Sequence, residues 1–149
     1  MLAFMLLLAD SVIAPGSGAA MCNALAPADF VHAGVPVTKL NPPHVDDDGA
    51  SVYCDYGSTA GKVEMDVFYP AAPSPADAAK VEAVTIRETQ GKYEPAKIAG
   101  ADDAQIGTAG ASALFVCRRG TAVVMISVPA AAHAQLYGLA RMALARLTP

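Results

Sequence analysis

Tryptophan is absent from the chain, and aromatic residues make up only 6% of it. Any core must therefore be assembled from Val, Ile, Leu, Met and a few Phe and Tyr rings rather than from large aromatic anchors. Basic runs are also missing. The longest is Arg118-Arg119, and the formal net charge is −4. A phosphate-backbone partner needs clustered Lys and Arg to release counterions, so no nucleic-acid partner is expected. None of the three cysteines forms a Cys-x-x-Cys pair or lies beside a histidine, whereas zinc sites ordinarily take their ligands in such close pairs. The glycines make no phosphate-binding loop, because "GTAGAS" lacks the lysine and the preceding strand. Ser112 and Ser127 are not set in a nucleophile elbow. No catalytic, cofactor-binding or metal-binding residue is nominated on these grounds.

What is present begins with "MLAFMLLLADSVIAPGSGAA". Leu2 to Leu8 is a short apolar run, interrupted by Asp10 and too short to span a bilayer. The small residues Gly18 and Ala20 occupy the two positions a signal peptidase inspects. Residues 1–20 are therefore expected to be a signal peptide, and residues 21–149 a single domain exported to the periplasm or secreted. No Lys or Arg follows Met1, so the leader is atypical or the natural start lies upstream. Removing residues 1–20 takes away one acidic residue, Asp10, and leaves a net charge of −3. Lipid attachment at Cys22 ranks below plain export, since Met21 stands where a small residue usually precedes a lipidated cysteine. The mature form is expected to carry no membrane span.

Downstream, "CNALAPADFVHAG" predicts a short helix, with Pro27 at its first position, Asp29 in the first turn and Gly34 at its close. "VPVTKL" reads as a brief strand, and "NPPHVDDDGA" as a loop dense in turn formers. "SVYCDYG" and "KVEMDVFY" alternate in the manner of paired strands around the hairpin loop "GSTAG". Ser74-Pro75-Ala76-Asp77 is a helix start, and Gly91 a stop for the same helix. "YEPAKIAGADDAQIGTAG" predicts a short strand near Ile98 followed by turns. "ASALFVC" and "TAVVMISV" form a second hairpin. After Pro129 a final helix is expected, with Leu136, Leu139, Ala140, Ala143 and Leu147 on its apolar face. The order is helix, strands, helix, strands, helix. It predicts an α+β fold in which one antiparallel sheet, built from two hairpins, has helices packed against it.

In an exported protein the cysteines are expected to form a disulfide. The preferred pair is Cys22 with Cys54, tying the first helix to the sheet; the alternative is Cys54 with Cys117. Cys117, beside Val116 in mid-strand, otherwise reads as a small buried apolar residue. The run from Cys22 to Phe30, with the later strand Cys54-Asp55-Tyr56, resembles small exported bacterial proteins of unknown function, which open on a cysteine-led short helix and carry a Cys-x-Tyr strand. That resemblance implies a Cys22–Cys54 bridge and an extracytoplasmic α+β domain. It implies no catalytic residues.

The most chemically suggestive cluster is His44-Val45-Asp46-Asp47-Asp48-Gly49. Asp46, Asp48 and Gly49 share part of the spacing of a calcium loop, but Val52, Tyr53 and Cys54 stand where its glutamate would be needed. A solvated acidic turn is the preferred reading, and Asp102-Asp103 is read the same way. His133, Tyr137 and Arg141 recur every four residues, as the exposed stripe of the last helix. Glu64, Asp66, Glu82, Glu88 and Glu94 are assigned to wet faces. The expected function is a non-enzymatic binding or interaction module whose partner is a small apolar ligand or an envelope protein. The alternatives are a metal-dependent or hydrolytic enzyme using the His44–Asp48 loop, and an accessory subunit of a cell-envelope complex.

Overall fold

The computed structural model describes residues 12–149; the apolar run Leu2–Leu8 assigned to the leader lies outside the described residues. Among those described, eight strands form one fully antiparallel sheet. They are β1 (Lys39–Leu40), β2 (His44–Val45), β3 (Ser51–Gly57), β4 (Val63–Phe68), β5 (Lys92–Pro95), β6 (Asp103–Ala109), β7 (Ser112–Arg119) and β8 (Ala122–Pro129). The spatial order is β1-β3-β4-β8-β7-β6-β5, with β2 also pairing with β3. The helices are α1 (Pro27–His32), α2 (Pro75–Glu88) and α3 (Leu136–Arg146), with 3₁₀ segments at Gly18–Ala24 and Ala130–Gln135. The architecture is the expected α+β one. The two hairpins β3–β4 and β7–β8 are zipped together by pairing of β4 with β8.

Alternation along the strands divides the side chains between two layers. Val52, Cys54 and Tyr56 of β3, Val63, Met65 and Val67 of β4, Phe115 and Cys117 of β7, and Val124, Ile126 and Val128 of β8 face one way. They pack with Met21, Leu25, Phe30, Leu136, Leu139, Ala143 and Leu144 into the main core. This face is closed by the first 3₁₀ segment, α1 and α3. The opposite face carries a smaller cluster, in which Val116, Val123 and Met125 meet Ala78 of α2, with Phe68, Val81, Ile86 and Tyr93 around them.

Local signals account for most boundaries. Ser74 caps α2 by accepting the Asp77 N–H at 3.1 Å, and Pro75 opens it. The stop differs from expectation by one residue: Gln90, not Gly91, takes the left-handed conformation, at φ +53°. In α1 the Asp29 carboxylate accepts the Ala26 N–H at 2.7 Å. The same carboxylate receives Arg146 at 2.7 Å, while Arg146 also donates to the Ala24 carbonyl at 3.1 Å. The end of α3 is thus fastened to the start of α1. The final helix is shorter than expected. Ala130–Gln135 is 3₁₀, with Ala132 departing from helical geometry at φ −98°, ψ 15°.

One region corrects the sequence reading. Ile98 belongs to no strand; the strands lie on either side of it, as β5 and β6. Gly107 explains why β6 escapes a propensity reading. It faces Tyr93 across the β5–β6 ladder, and a Cβ built on it would lie 2.6 Å from the Lys92 carbonyl oxygen and 2.7 Å from the Tyr93 ring. A glycine that usually weakens a strand is required here by close approach.

Cys22 and Cys54 form a disulfide, with Cα atoms 5.8 Å apart. The alternative partner, Cys117, is a buried free thiol on β7, and β4 and β8 separate that strand from β3. Three strand spacings amount to roughly 14 Å, beyond the roughly 7 Å a bridge can span between Cα atoms. Residues assigned to the end of the leader also make contacts: Ile13 bridges Leu147 in parallel, and its carbonyl accepts the Thr148 N–H at 3.1 Å.

The bridge closes a 32-residue separation, for which loop-closure entropy gives about 3–4 kcal/mol. The double substitution Cys22→Ala with Cys54→Ala is expected to lower unfolding free energy by that order in urea titration. Cys117→Ala should leave the non-reducing peptide map, with its Cys22–Cys54 cross-link, unchanged.

Candidate functional site

The face of the sheet that carries α2 is covered unevenly. α2 lies over β7 and β8, and where it ends toward β4 and β3 a cleft of about 430 Å³ opens. Its floor is Tyr53, Asp66, Phe68 and Met125 of the sheet; its wall is Lys80, Val81, Val84, Thr85, Glu88 and Thr89 of α2 and its end. The volume lies within the roughly 300–1,000 Å³ of small-molecule sites.

Strand register builds the floor. Asp66 stands between Tyr53 on β3 and Met125 on β8. Two residues back along β4, Glu64 stands between Asp55 and Ser127. The Tyr53 ring meets Phe68 edge-on at 5.8 Å and His44 at 5.7 Å. Thr85 turns its hydroxyl back onto the Val81 carbonyl at 2.8 Å, and the Thr89 hydroxyl is bonded to the Tyr93 hydroxyl at 2.7 Å. Those hydroxyls are spent within the wall, which leaves the wall's inner surface largely aliphatic.

Asp66 is the exception to that apolar character. Only 3% of it is exposed, and among the described residues its Oδ1 has no hydrogen-bond partner. Burial pushes its carboxyl up to about 9; a hydrogen bond to the neighbouring Glu64 and that group's negative charge add to the effect, against a smaller opposing pull from Lys62. Lys62 is held by Glu64 at 2.8 Å. The Tyr53 hydroxyl is also shifted upward, by burial first and then by Asp46, Asp66, Glu88 and Glu64. The floor thus holds an acid whose proton is retained well above the ordinary carboxyl range.

Glu82 of α2 is a second buried carboxyl, 5% exposed. Its Oε1 lies 3.7 Å from the Arg118 Nε, while its Oε2 has no partner. Burial, then Asp103, pushes it up to about 8 against the opposing Arg118 charge. Asp66 and Glu82 are therefore corrections to the wet-face assignment. The interior position of β4 buries Asp66, and the packing of α2 on β7 buries Glu82.

The other residues singled out by sequence do not converge. In the His44–Asp48 loop, His44 and Val45 form β2; the Asp48 carboxylate accepts the Ala50 N–H at 2.9 Å, and Gly49 N donates to Asp46 O at 2.8 Å. The acidic run is thus tied into its own turn, as the turn reading expects. Among the described residues no group of three His, Cys, Asp or Glu side chains is placed to hold a metal ion. Asp102 accepts the Gly120 N–H and lies 3.8 Å from Arg118. His133, Tyr137 and Arg141 are exposed as expected, and Tyr137 rests edge-on against Phe115 at 5.4 Å. Cys22 and Cys54 lie on the opposite face from the cleft, in the main core. The cleft itself was not foreseen; its one signal in the sequence is "TAVVMISV", apolar at both alternate sets of positions, as a strand covered on both faces must be. No protein-family model, curated protein or solved structure matches the chain.

The raised carboxyls fix the sign of a pH dependence. Folding holds the Asp66 and Glu82 protons more tightly than the unfolded chain does. Their contribution to stability is whole below the ordinary carboxyl range and is lost as pH rises through about 8 and 9. The melting temperature is expected to fall between about pH 5 and pH 9. Asp66→Asn should raise it more at pH 9 than at pH 5, as read by differential scanning calorimetry.

Proposed function

We propose that the protein is an exported, non-enzymatic binding module, working in the periplasm or outside the cell, whose cleft between α2 and strands β3, β4 and β8 receives a small apolar ligand. The observation that carries this reading is the cleft itself: an aliphatic wall of Val81 and Val84 set against Phe68, Tyr53 and Met125, with one buried polar group at its floor. Pockets of that make-up bind by apolar burial and use a few polar atoms for orientation. Tyr53 and Val84 are each 37% exposed at the mouth, so apolar surface continues outward from the cleft.

Export is supported by the Cys22–Cys54 bridge, since such bonds persist in oxidising compartments. Among the described residues no helix is long and apolar enough to cross a membrane. The commitment of the buried Cys22 to the bridge favours plain export over lipid attachment at that residue.

A neutral fluorescent probe, N-phenyl-1-naphthylamine, is expected to brighten and saturate on titration with the oxidised protein. Val84→Glu, at the exposed rim, should weaken that binding by about tenfold or more. No fluorescence gain, or equal gain with the variant, overturns the assignment of the cleft. Mass spectrometry of protein purified from its native host is expected to give a mature terminus at Met21 and one free thiol; an intact Met1 terminus overturns export.

A further inference from the structure

The head-group chemistry of the ligand can be read from Asp66, on the footing that the cleft is a ligand site. The Asp66 carboxyl lines the apolar cleft, and its buried Oδ1 has no hydrogen-bond partner among the described residues. An orphaned buried acceptor is costly and marks a position where a ligand atom has a ready partner.

The surroundings decide the sign of that atom. From β4 comes Glu64, and from just before it Lys62; they are already paired with each other at 2.8 Å. From β3 come Tyr53, directly across the ladder, and Asp55, opposite Glu64. From β8 come Met125 and Ser127, neither carrying charge. From α2 come Glu88 and Lys80, and the Lys80 Nζ lies outward, 3.5 Å from Asp77. His44 stands beyond Tyr53. Both nearby lysines therefore have carboxylate partners, while Asp55 and Glu88 add negative charge around the floor. Tyr53 and Phe68, both lining the cleft, add π-systems of the kind that attract alkylammonium groups.

We propose that the cleft is a site for a cationic amphiphile, an ammonium group on an apolar body, with the head at Asp66 beside the Tyr53 ring and the body along Val81, Val84 and Met125. Binding then has a proton balance. The Asp66 carboxyl, protonated up to about pH 9 in the free protein, loses its proton to solvent as the ammonium arrives, and a carboxylate–ammonium pair replaces the O–H bond. A ligand that only accepted a hydrogen bond from Asp66 would show the opposite pH dependence, because it needs that proton to stay.

The test is a calorimetric titration of the full, oxidised chain with decyltrimethylammonium, decanol and decanoate, each below its micelle concentration, at several values between about pH 6 and pH 9. The quaternary ammonium is expected to bind at least about tenfold tighter than decanol at pH 8. Its affinity should rise toward about tenfold per pH unit, the slope of one released proton, and decanoate should bind weakest. Asp66→Asn should erase both the preference and the slope; if that variant fails to fold, the slope of the wild-type protein decides alone. Equal binding of ammonium and decanol, or ammonium binding that ignores pH, overturns the cationic head group while leaving the apolar-ligand reading intact. Binding of none of the three overturns that reading as well.

Discussion

Among the described residues, a single fourteen-residue helix covers one face of a broad sheet. A run of seven paired strands at about 4.8 Å spacing is roughly 30 Å across, whereas a helix with its side chains is about 10 Å wide. Helix α2 sits on β7 and β8 and there buries Val116, Val123 and Met125 against Ala78. It has no width left for β3 and β4. The strand residues on that part of the face are accordingly Tyr53, Asp55, Glu64 and Asp66 rather than aliphatics, and a cleft forms where helix cover gives out. The position of the candidate site follows from this mismatch of widths.

The opposite face has the reverse problem and solves it covalently. Its cover is made of short pieces: a seven-residue 3₁₀ segment and a six-residue helix, with only α3 of ordinary length. Short helical pieces have little stability of their own. The Cys22–Cys54 bridge fixes the first piece to the middle of β3, the Tyr56 hydroxyl donates to the Leu25 carbonyl, and Arg146 clamps α1 to the end of α3 through Asp29. Met21, Cys22, Leu25 and Phe30 are consequently buried almost completely. One face is thereby closed and rigidly fastened, which leaves the other free to carry an opening.

Features set by local chemistry could be read from the sequence, and features set by strand order could not. The Ser74–Asp77 helix start, the apolar stripe of α3, the two hairpins and the preferred cysteine pair each depend on residues near one another in sequence or on composition, and each is found in the structure. The edge of the sheet formed by β5 and β6 was missed because its residues, among them Gly107 and Pro95, have poor strand propensity; their pairing is enforced by the Tyr93 ring lying on Gly107. The site was missed for a related reason. "KVEMDVFY" alternates like an edge or half-wet strand, and only the pairing of β4 with β8, between residues about sixty apart, makes its acidic side an interior one.

The two buried carboxyls show how the same physical cost takes different meanings. Both are held up from their ordinary values chiefly by burial. Glu82, under α2, has a cation from the sheet, Arg118, within 3.7 Å, which partly opposes the upward shift from within the fold. Among the described residues Asp66 has no ion-pair partner: Lys62 is engaged by Glu64 and Lys80 lies beside Asp77. A buried acid with an unpartnered oxygen in the middle of a central strand destabilises the protein at neutral pH, and an uncharged side chain would fit the same place at lower cost. Asp66 lines the cleft, so on the proposed reading the group that offsets this cost is a ligand from outside the chain.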